Sequence, residues 1–303
     1  MLFIVCICLA LASTVAAQCC SDGCGATCGD TGAWCAESVD NCNQCGGKLC
    51  NQEQAERQPQ QRHTSHRSTK RGIAIRHPSA AQLHALEAGL DWFYSWSKTS
   101  PQASSSLKFF PMVHGRSEVQ QGLEGHAYAI LGFNEPELES QSHMSPQEAA
   151  GLWHQVEAKA HTVQKLVSPA MCGDIGRGTA WMRSFLGACQ GCRIDAIAIH
   201  SYYCDVADIQ RLVDAYRGFG KPIWLTEFAC AVQGRDVSMQ GQIRFMKEVV
   251  PWLEQESSIE KCAWFSSFSG QWSYPITSPD PDAGLVYPDG RLSELGQVYL
   301  SLT

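Results

Sequence analysis

The sequence predicts an α/β protein built as a (β/α)8 TIM barrel and preceded by a small disulfide-rich module. Three observations predict it. From residue 70 to Thr303 short apolar runs alternate with stretches of helical periodicity, eight cysteines crowd into residues 19–50, and the segment between them is polar almost throughout. Strands that alternate with helices pair in parallel and are covered by those helices.

The chain opens MLFIVCICLALASTVAAQ, an apolar run that closes on small residues, with Val15 and Ala17 before a cut that leaves Gln18 first. Residues 1–17 therefore read as a secretory signal peptide whose only positive charge is the initiator amine. The competing reading is a retained signal anchor. No later stretch reaches the roughly 20 apolar residues of a membrane span. A secreted protein, extracellular or cell-wall associated and without a membrane partner, is the expectation.

Cleavage leaves 14 of the 16 cysteines, and eight of them lie within the module of residues 18–50. So short a segment cannot bury a core of its own, and an oxidising compartment allows bridges to replace one. Cys42-x-x-Cys45 and Cys189-x-x-Cys192 also have zinc-ligand spacing, which secretion argues against. Neither a metal nor a cofactor is expected. Residues 51–69, NQEQAERQPQQRHTSHRST, have almost nothing to bury and read as a flexible linker. The net charge of −7 offers no basic footprint for nucleic acid, and nothing in the pattern calls for an oligomer, so a monomer is expected.

Residues 70–303 carry eight strand candidates: Gly72–Ile75, Trp92–Tyr94, Phe109–Val113, Ala127–Gly132, Leu166–Pro169, Ile194–His200, Pro222–Phe228 and Cys262–Phe268. Helical periodicity is clearest after Pro146, over Ala180–Ala188, over Val206–Phe219 and over Gln240–Leu253. Ser145-Pro146 with Glu148 has the form of a capped helix start. A doubly wound open sheet is the alternative architecture, but no Gly-x-Gly-x-x-Gly follows the first strand to support its dinucleotide-binding form. Six cysteines of this domain, Cys172, Cys189, Cys192, Cys204, Cys230 and Cys262, are enough for three bridges.

Barrel sites form at the C-terminal ends of the strands. The fourth strand runs out in Asn134-Glu135-Pro136-Glu137 and the seventh in Thr226-Glu227-Phe228, 92 residues apart between the two glutamates. Glycosidic cleavage needs two carboxyl groups at one face, one to give a proton to the leaving group and one to attack or to activate water. Phe133, Trp224 and Phe228 would wall them if their rings turn inward. Against this stands the bland reading, in which each glutamate is a solvated strand-end carboxylate. Aromatics recur at other strand ends, in Trp92-Phe93-Tyr94-Ser95-Trp96, His200-Ser201-Tyr202-Tyr203 and Trp264-Phe265. Trp92, Tyr202, Trp224 and Trp264 are candidate sugar platforms and His200 a candidate ligand of the acid or of a sugar hydroxyl, with core packing as the alternative for each.

The ordered set Phe110-Pro111-Met112, Leu131-Gly132-Phe133-Asn134-Glu135-Pro136-Glu137, Met144-Ser145-Pro146, Asp195-Ala196-Ile197-Ala198-Ile199-His200 and Pro222-Ile223-Trp224-Leu225-Thr226-Glu227-Phe228 resembles the glycosyl hydrolase catalytic-core family of fungal cell-wall glucanases, glycoside hydrolase family 128. The resemblance implies a (β/α)8 fold, a retaining mechanism and hydrolysis of β-1,3-glucan, with Glu135 as acid/base, Glu227 as nucleophile and Asn134 on the sugar 2-hydroxyl. A departure is His200-Ser201-Tyr202, where an aromatic is expected directly after the histidine. Residues 18–50 are similar to small cysteine-rich modules of fungal secreted proteins, through Cys19-Cys20-Ser21, Trp34-Cys35, Asn41-Cys42 and Cys45-Gly46-Gly47, which implies polysaccharide binding or a spacer role. The leading expectation is an endo-acting β-1,3-glucanase, and two other functions stay open, a non-catalytic β-glucan-binding wall protein and a hydrolase of another β-glycan.

Overall fold

The computed structural model describes residues 18–20, 48–50, 68–100, 105–123, 128–160, 165–232, 234–266 and 284–302. The chain divides into two units, Met1–Thr64 and Ser65–Thr303. In the first, β1 (Gln18–Cys20) pairs antiparallel with β2 (Lys48–Cys50), Cys19 opposite Leu49. The expected signal peptide, the interior of the cysteine-rich segment and nearly all of the linker lie outside the described residues.

The second unit alternates strand and helix. Its strands are β3 (Arg71–Ala74), β4 (Trp92–Tyr94), β5 (Lys108–Phe109), β6 (Ala129–Ile130), β7 (Lys165–Met171), β8 (Ala196–Ser201), β9 (Ile223–Phe228) and β10 (Ile259–Phe265). All neighbours are parallel, in the order β5-β4-β3-β10-β9-β8-β7-β6. The sheet curls until its edges meet at one parallel bridge, Met112 to Leu131, with Leu131 N–H on Pro111 O at 2.9 Å and Val113 N–H on Leu131 O at 3.0 Å. Closure is therefore incomplete. The expected continuous barrel is corrected to a curled, open half-barrel, because β5 and β6 are two residues each and Pro111 has no N–H to extend the ladder.

Four helices fall where periodicity put them: α2 (Pro146–Glu157), α3 (Ile175–Ala188), α4 (Val206–Arg217) and α5 (Met239–Gln255). Ser145 accepts from Glu148 N–H and Pro146 opens α2 as the motif implied, but the Glu148 carboxylate pairs with Arg116 instead of completing a capping box. Two helices were not foreseen. Ser79 and Gln82 cap one another reciprocally at the start of α1 (Ala80–Leu86), and Ser293 caps α6 (Glu294–Ser301). Both are too short for a periodic signal to rise above background.

Two cores result. Outside the sheet, Leu225, Phe228, Phe133 and Trp264 pack against the helices; inside, Trp92, Phe110 and Trp224 fill the floor beside Ala129, Ala196, Ala198 and Ala263. Small residues on β6, β8 and β10 make room for the large rings of β4 and β9 and of the segment after β5. Gly72 belongs to the same fit, since a Cβ there would fall 2.5 Å from the Trp92 ring. Below this floor Asp91 pairs with Lys108 at 2.9 Å and with Lys261 at 3.2 Å.

Two bridges form in this unit, Cys189–Cys192 and Cys204–Cys230, while Cys172 and Cys262 are free thiols. The six cysteines would have allowed three. The first bridge also removes the Cys189-x-x-Cys192 pair from zinc ligation.

Candidate active site

Glu135 stands just past β6, where Gly132 lets the chain approach β7 so closely that a Cβ would lie 2.8 Å from the Ser168 backbone. Asn134 N–H bonds His114 O and Glu135 N–H bonds Ala170 O, each at 2.9 Å, which locks the turn to both neighbours. Glu135 has φ +40°, a left-handed conformation in which a non-glycine residue costs about 1–3 kcal/mol. Such a conformation persists only when its surroundings over-determine it, and Pro136 with the two backbone bonds does so here.

Glu227 reaches the interior through a bulge. Ile199 pairs with Leu225 and His200 with Glu227, so Thr226 is the extra residue of β9. Leu225 and Phe228 both face the outer core, and strict alternation would have put Glu227 with them. The bulge turns its carboxylate inward instead. There Oε1 accepts Tyr94 Oη–H at 2.9 Å and Trp96 Nε1–H at 2.8 Å, and Oε2 accepts the Tyr202 hydroxyl.

His200, fully buried on β8, sits between the two carboxylates, its Nδ1 2.8 Å from Glu135 Oε1 and 3.6 Å from Glu227 Oε2. One ligand atom from each of Glu135, His200 and Glu227 lies within 4.8 Å of the others. A divalent ion could take such a donor set, although Glu227 already accepts three protein donors. Burial alone disfavours the His200 cation, but Glu227 and then the hydrogen bond with Glu135 outweigh it and raise the imidazole pKa. Burial, and after it the Glu227 carboxylate, push Tyr94 far above the ordinary phenol value, so it stays a donor. Asn134 is buried, with Nδ2 on Gln141 Oε1 at 3.2 Å and Oδ1 without a partner among the described residues.

Of the residues singled out in the sequence, Glu135, His200, Tyr202 and Glu227 converge, and Asn134 precedes Glu135 with its amide on Gln141. Three tryptophans do not join them. Trp92 and Trp224 are 0 % exposed and pack at 5.8 Å on the interior floor, their indole N–H groups on Lys70 O at 2.9 Å and Glu260 Oε2 at 3.0 Å. Trp264 is wedged between Phe228, Phe245 and Tyr299 outside the sheet. None shows a ring face to a ligand, so the expectation that they form sugar platforms is corrected to core packing. Phe133 and Phe228 likewise turn outward. The rings that border the carboxylates are Tyr94, Trp96, Tyr202 and Phe265, joined edge to face at 5.1 to 5.7 Å. Tyr94 and Trp96 were missed as individual ligands. Trp92, Tyr94 and Trp96 share one parity, but their depth along the sheet decides which of them meets Glu227.

Residues 72–299 match the family described as glycosyl hydrolase catalytic core. A subgroup II endo-β-1,3-glucanase of family 128 from Sorangium cellulosum is 32 % identical, with a TM-score of 0.65 over 77 % of this chain and 98 % of that one. The chain belongs to glycoside hydrolase family 128. Its other family 128 relatives include a subgroup I endo-β-1,3-glucanase from Amycolatopsis mediterranei bound to laminaritriose, 28 % identical with a TM-score of 0.63 over 77 % and 99 % of the two chains. A subgroup III curdlan-specific exo-β-1,3-glucanase from Blastomyces gilchristii is 25 % identical, TM-score 0.60, over 77 % and 98 %. Alkali-sensitive linkage protein 1 of Schizosaccharomyces pombe is 29 % identical over 234 residues, which are 71 % of this family 128 chain and 41 % of that protein. The chain thus spans less than half the length of this curated relative. Among the described residues no helix is long and apolar enough to cross a membrane.

Proposed function

We propose that this protein is a secreted, monomeric glycoside hydrolase that cleaves β-1,3-glucan internally with retention of anomeric configuration. The observation that carries the reading is the approach of Glu135 and Glu227, whose nearest ligand atoms lie within 4.8 Å at the C-terminal ends of two strands three positions apart. Retaining glycosidases hold their carboxyl groups about 5–5.5 Å apart, and inverting ones leave a wider gap for water.

In this reading Glu227 is the nucleophile. Tyr94, Trp96 and Tyr202 donate to its oxygens and hold it aimed at the anomeric carbon. Glu135 gives its proton to the departing glycosidic oxygen as that bond breaks and the Glu227 ester forms. It then takes a proton from the water that attacks the same carbon and frees Glu227. His200 holds Glu135 in place at 2.8 Å through both steps. Asn134, with Oδ1 unpartnered among the described residues, takes the 2-hydroxyl of the sugar in the −1 subsite. Internal cleavage is supported by the endo-acting relatives at 28 % and 32 % identity, against 25 % for the exo-acting one. No cofactor or metal enters the scheme, and residues 18–50 serve as a glycan-binding or spacer module tethered by residues 51–69.

Reducing-end release from laminarin by the purified full chain tests the reaction, and proton NMR of the first-formed anomer tests retention. A protein that binds laminarin and releases nothing would be a glucan-binding wall protein. Release from mannan or β-1,4-glucan alone would change the substrate and keep the chemistry.

A further inference from the structure

Three donors hold Glu227, and they differ in how they are themselves held. Tyr94 is on a strand and fully buried, whereas Tyr202 is only partly buried, on the short connection between the end of β8 at Ser201 and the start of α4 at Val206. Cys204 lies two residues beyond Tyr202 and Cys230 three beyond Glu227, and their bridge brings the two Cα atoms to 4.4 Å. Cys230 is anchored in turn by Gln242 of α5, which is 1 % exposed. The Gln242 Oε1 accepts Cys230 N–H at 3.2 Å and its Nε2 donates to Cys230 O at 2.6 Å. Backbone bonds run along the same seam, Ala229 N–H to Ser201 O at 3.2 Å and Ala231 N–H to Tyr202 O at 2.9 Å. The covalent link therefore joins a connection that carries a ligand of the carboxylate to a segment fixed on a helix.

We infer that the Cys204–Cys230 bridge is a positioning device that keeps the Tyr202 hydroxyl on Glu227. The Tyr202 ring is only partly buried, at the margin of the outer core, so its hydroxyl follows the course of its backbone more closely than that of the enclosed Tyr94 does. The bridge limits that course from one side, and the edge contact with Phe265 at 5.4 Å limits the ring from the other. Cys189–Cys192 closes the turn after α3, which leads into the N-terminal end of β8 and so lies on the face away from the carboxylates. It is the internal control.

The kinetic part of this inference rests on the reading of Glu227 as nucleophile; the structural part does not. In the full chain, Cys204→Ala/Cys230→Ala should lower kcat on laminarin about tenfold with KM unchanged, as expected for a misplaced catalytic contact. Tyr202→Phe should lower it about 100-fold, the order for loss of one preorganised donor. All three substitutions together should be no worse than Tyr202→Phe, because groups that act through one contact are not additive. Cys189→Ala/Cys192→Ala should leave kcat as it was. A crystal structure of the bridge-free variant should show Tyr202 Oη off Glu227. Independent multiplication of the effects, undiminished kcat without the bridge, or Tyr202 still seated on Glu227 would each overturn the inference. If the wild-type chain releases no sugar, the hydrolase reading fails and that crystal structure still decides the bridge. If the bridge-free variant does not fold, Gln242→Met keeps the bridge and removes its anchor. Its kcat should fall in the wild-type background and not in the Tyr202→Phe background, and the opposite pattern rejects the device.

Discussion

His200 Nδ1 lies 2.8 Å from Glu135 Oε1, a bond between a buried imidazole on β8 and a carboxylate held on a left-handed turn after β6. Because Glu227 is also 3.6 Å away, one ring faces both carboxylates. Both carboxylates favour its protonated form.

That preference has a pH consequence. The folded pKa of His200 lies above its ordinary value of 6.5, so the native state holds a proton that the unfolded chain gives up first. The resulting stabilisation is complete below the ordinary value and is lost as pH rises through the raised one. Denaturant midpoints should therefore decline on the alkaline side of 6.5 in the wild-type chain. The same series on His200→Gln should be flatter in that window. Parallel curves for the two proteins would refute the assignment.

The two carboxylates separate by azide rescue. Glu135→Ala with azide should give a β-glycosyl azide, because azide enters the open acid/base side of a glycosyl-enzyme. Glu227→Ala should give an α-azide by single displacement, and both variants should lose at least about 1000-fold in kcat without azide. NMR of the product anomers reads the result, and matching anomers from both variants would reject the split of roles.

The two bridges should differ in what they contribute to stability. Loop closure over the 26-residue separation of Cys204 and Cys230 corresponds to about 3.5 kcal/mol, and over the three of Cys189 and Cys192 to about half of that. Alanine pairs compared by thermal unfolding test the order, and an equal or reversed loss would count against the chain-entropy account.

Gly72→Ala should destabilise by about 1–3 kcal/mol through overpacking, since the added Cβ meets the Trp92 ring at 2.5 Å. A paired Gly72→Ala/Trp92→Phe variant should recover part of the loss if the collision is its cause. Thermal melts of the two variants supply the comparison.

Burial pushes the thiols of Cys172 and Cys262 up to about 12. Neither should be alkylated by iodoacetamide at pH 8 in the folded protein, and both should be after unfolding. Peptide mass mapping distinguishes the states; rapid labelling of the native Cys172 peptide would contradict its raised pKa.

Much of the site was legible because it follows strand endings. Asn134-Glu135-Pro136 and Thr226-Glu227-Phe228 mark where apolar runs stop, and parallel strands deliver such ends to one face. Trp92, Trp224 and Trp264 misled for the same reason that the glutamates did not. Composition near a strand end says that a ring is there, while its depth and side depend on how far the strand runs and on whether it slips. Pro111 similarly reads as a strand residue among apolar neighbours, yet its missing N–H helps leave the seam between β5 and β6 at a single bridge.

By itself the sequence determined the alternation of strands and helices, the parallel pairing that alternation requires, the start of α2 at Ser145-Pro146, and the pair of carboxylates at one end of the sheet. These are local or topological properties, set by periodicity, capping and the direction of the chain. Only the tertiary structure decided that Glu227 faces inward, that Tyr94, Trp96 and Tyr202 hold it, that His200 spans both carboxylates, and that the sheet stays open at its seam. Each of these depends on register between strands distant in the chain, and one extra residue at Thr226 is enough to reverse the face on which a side chain lies.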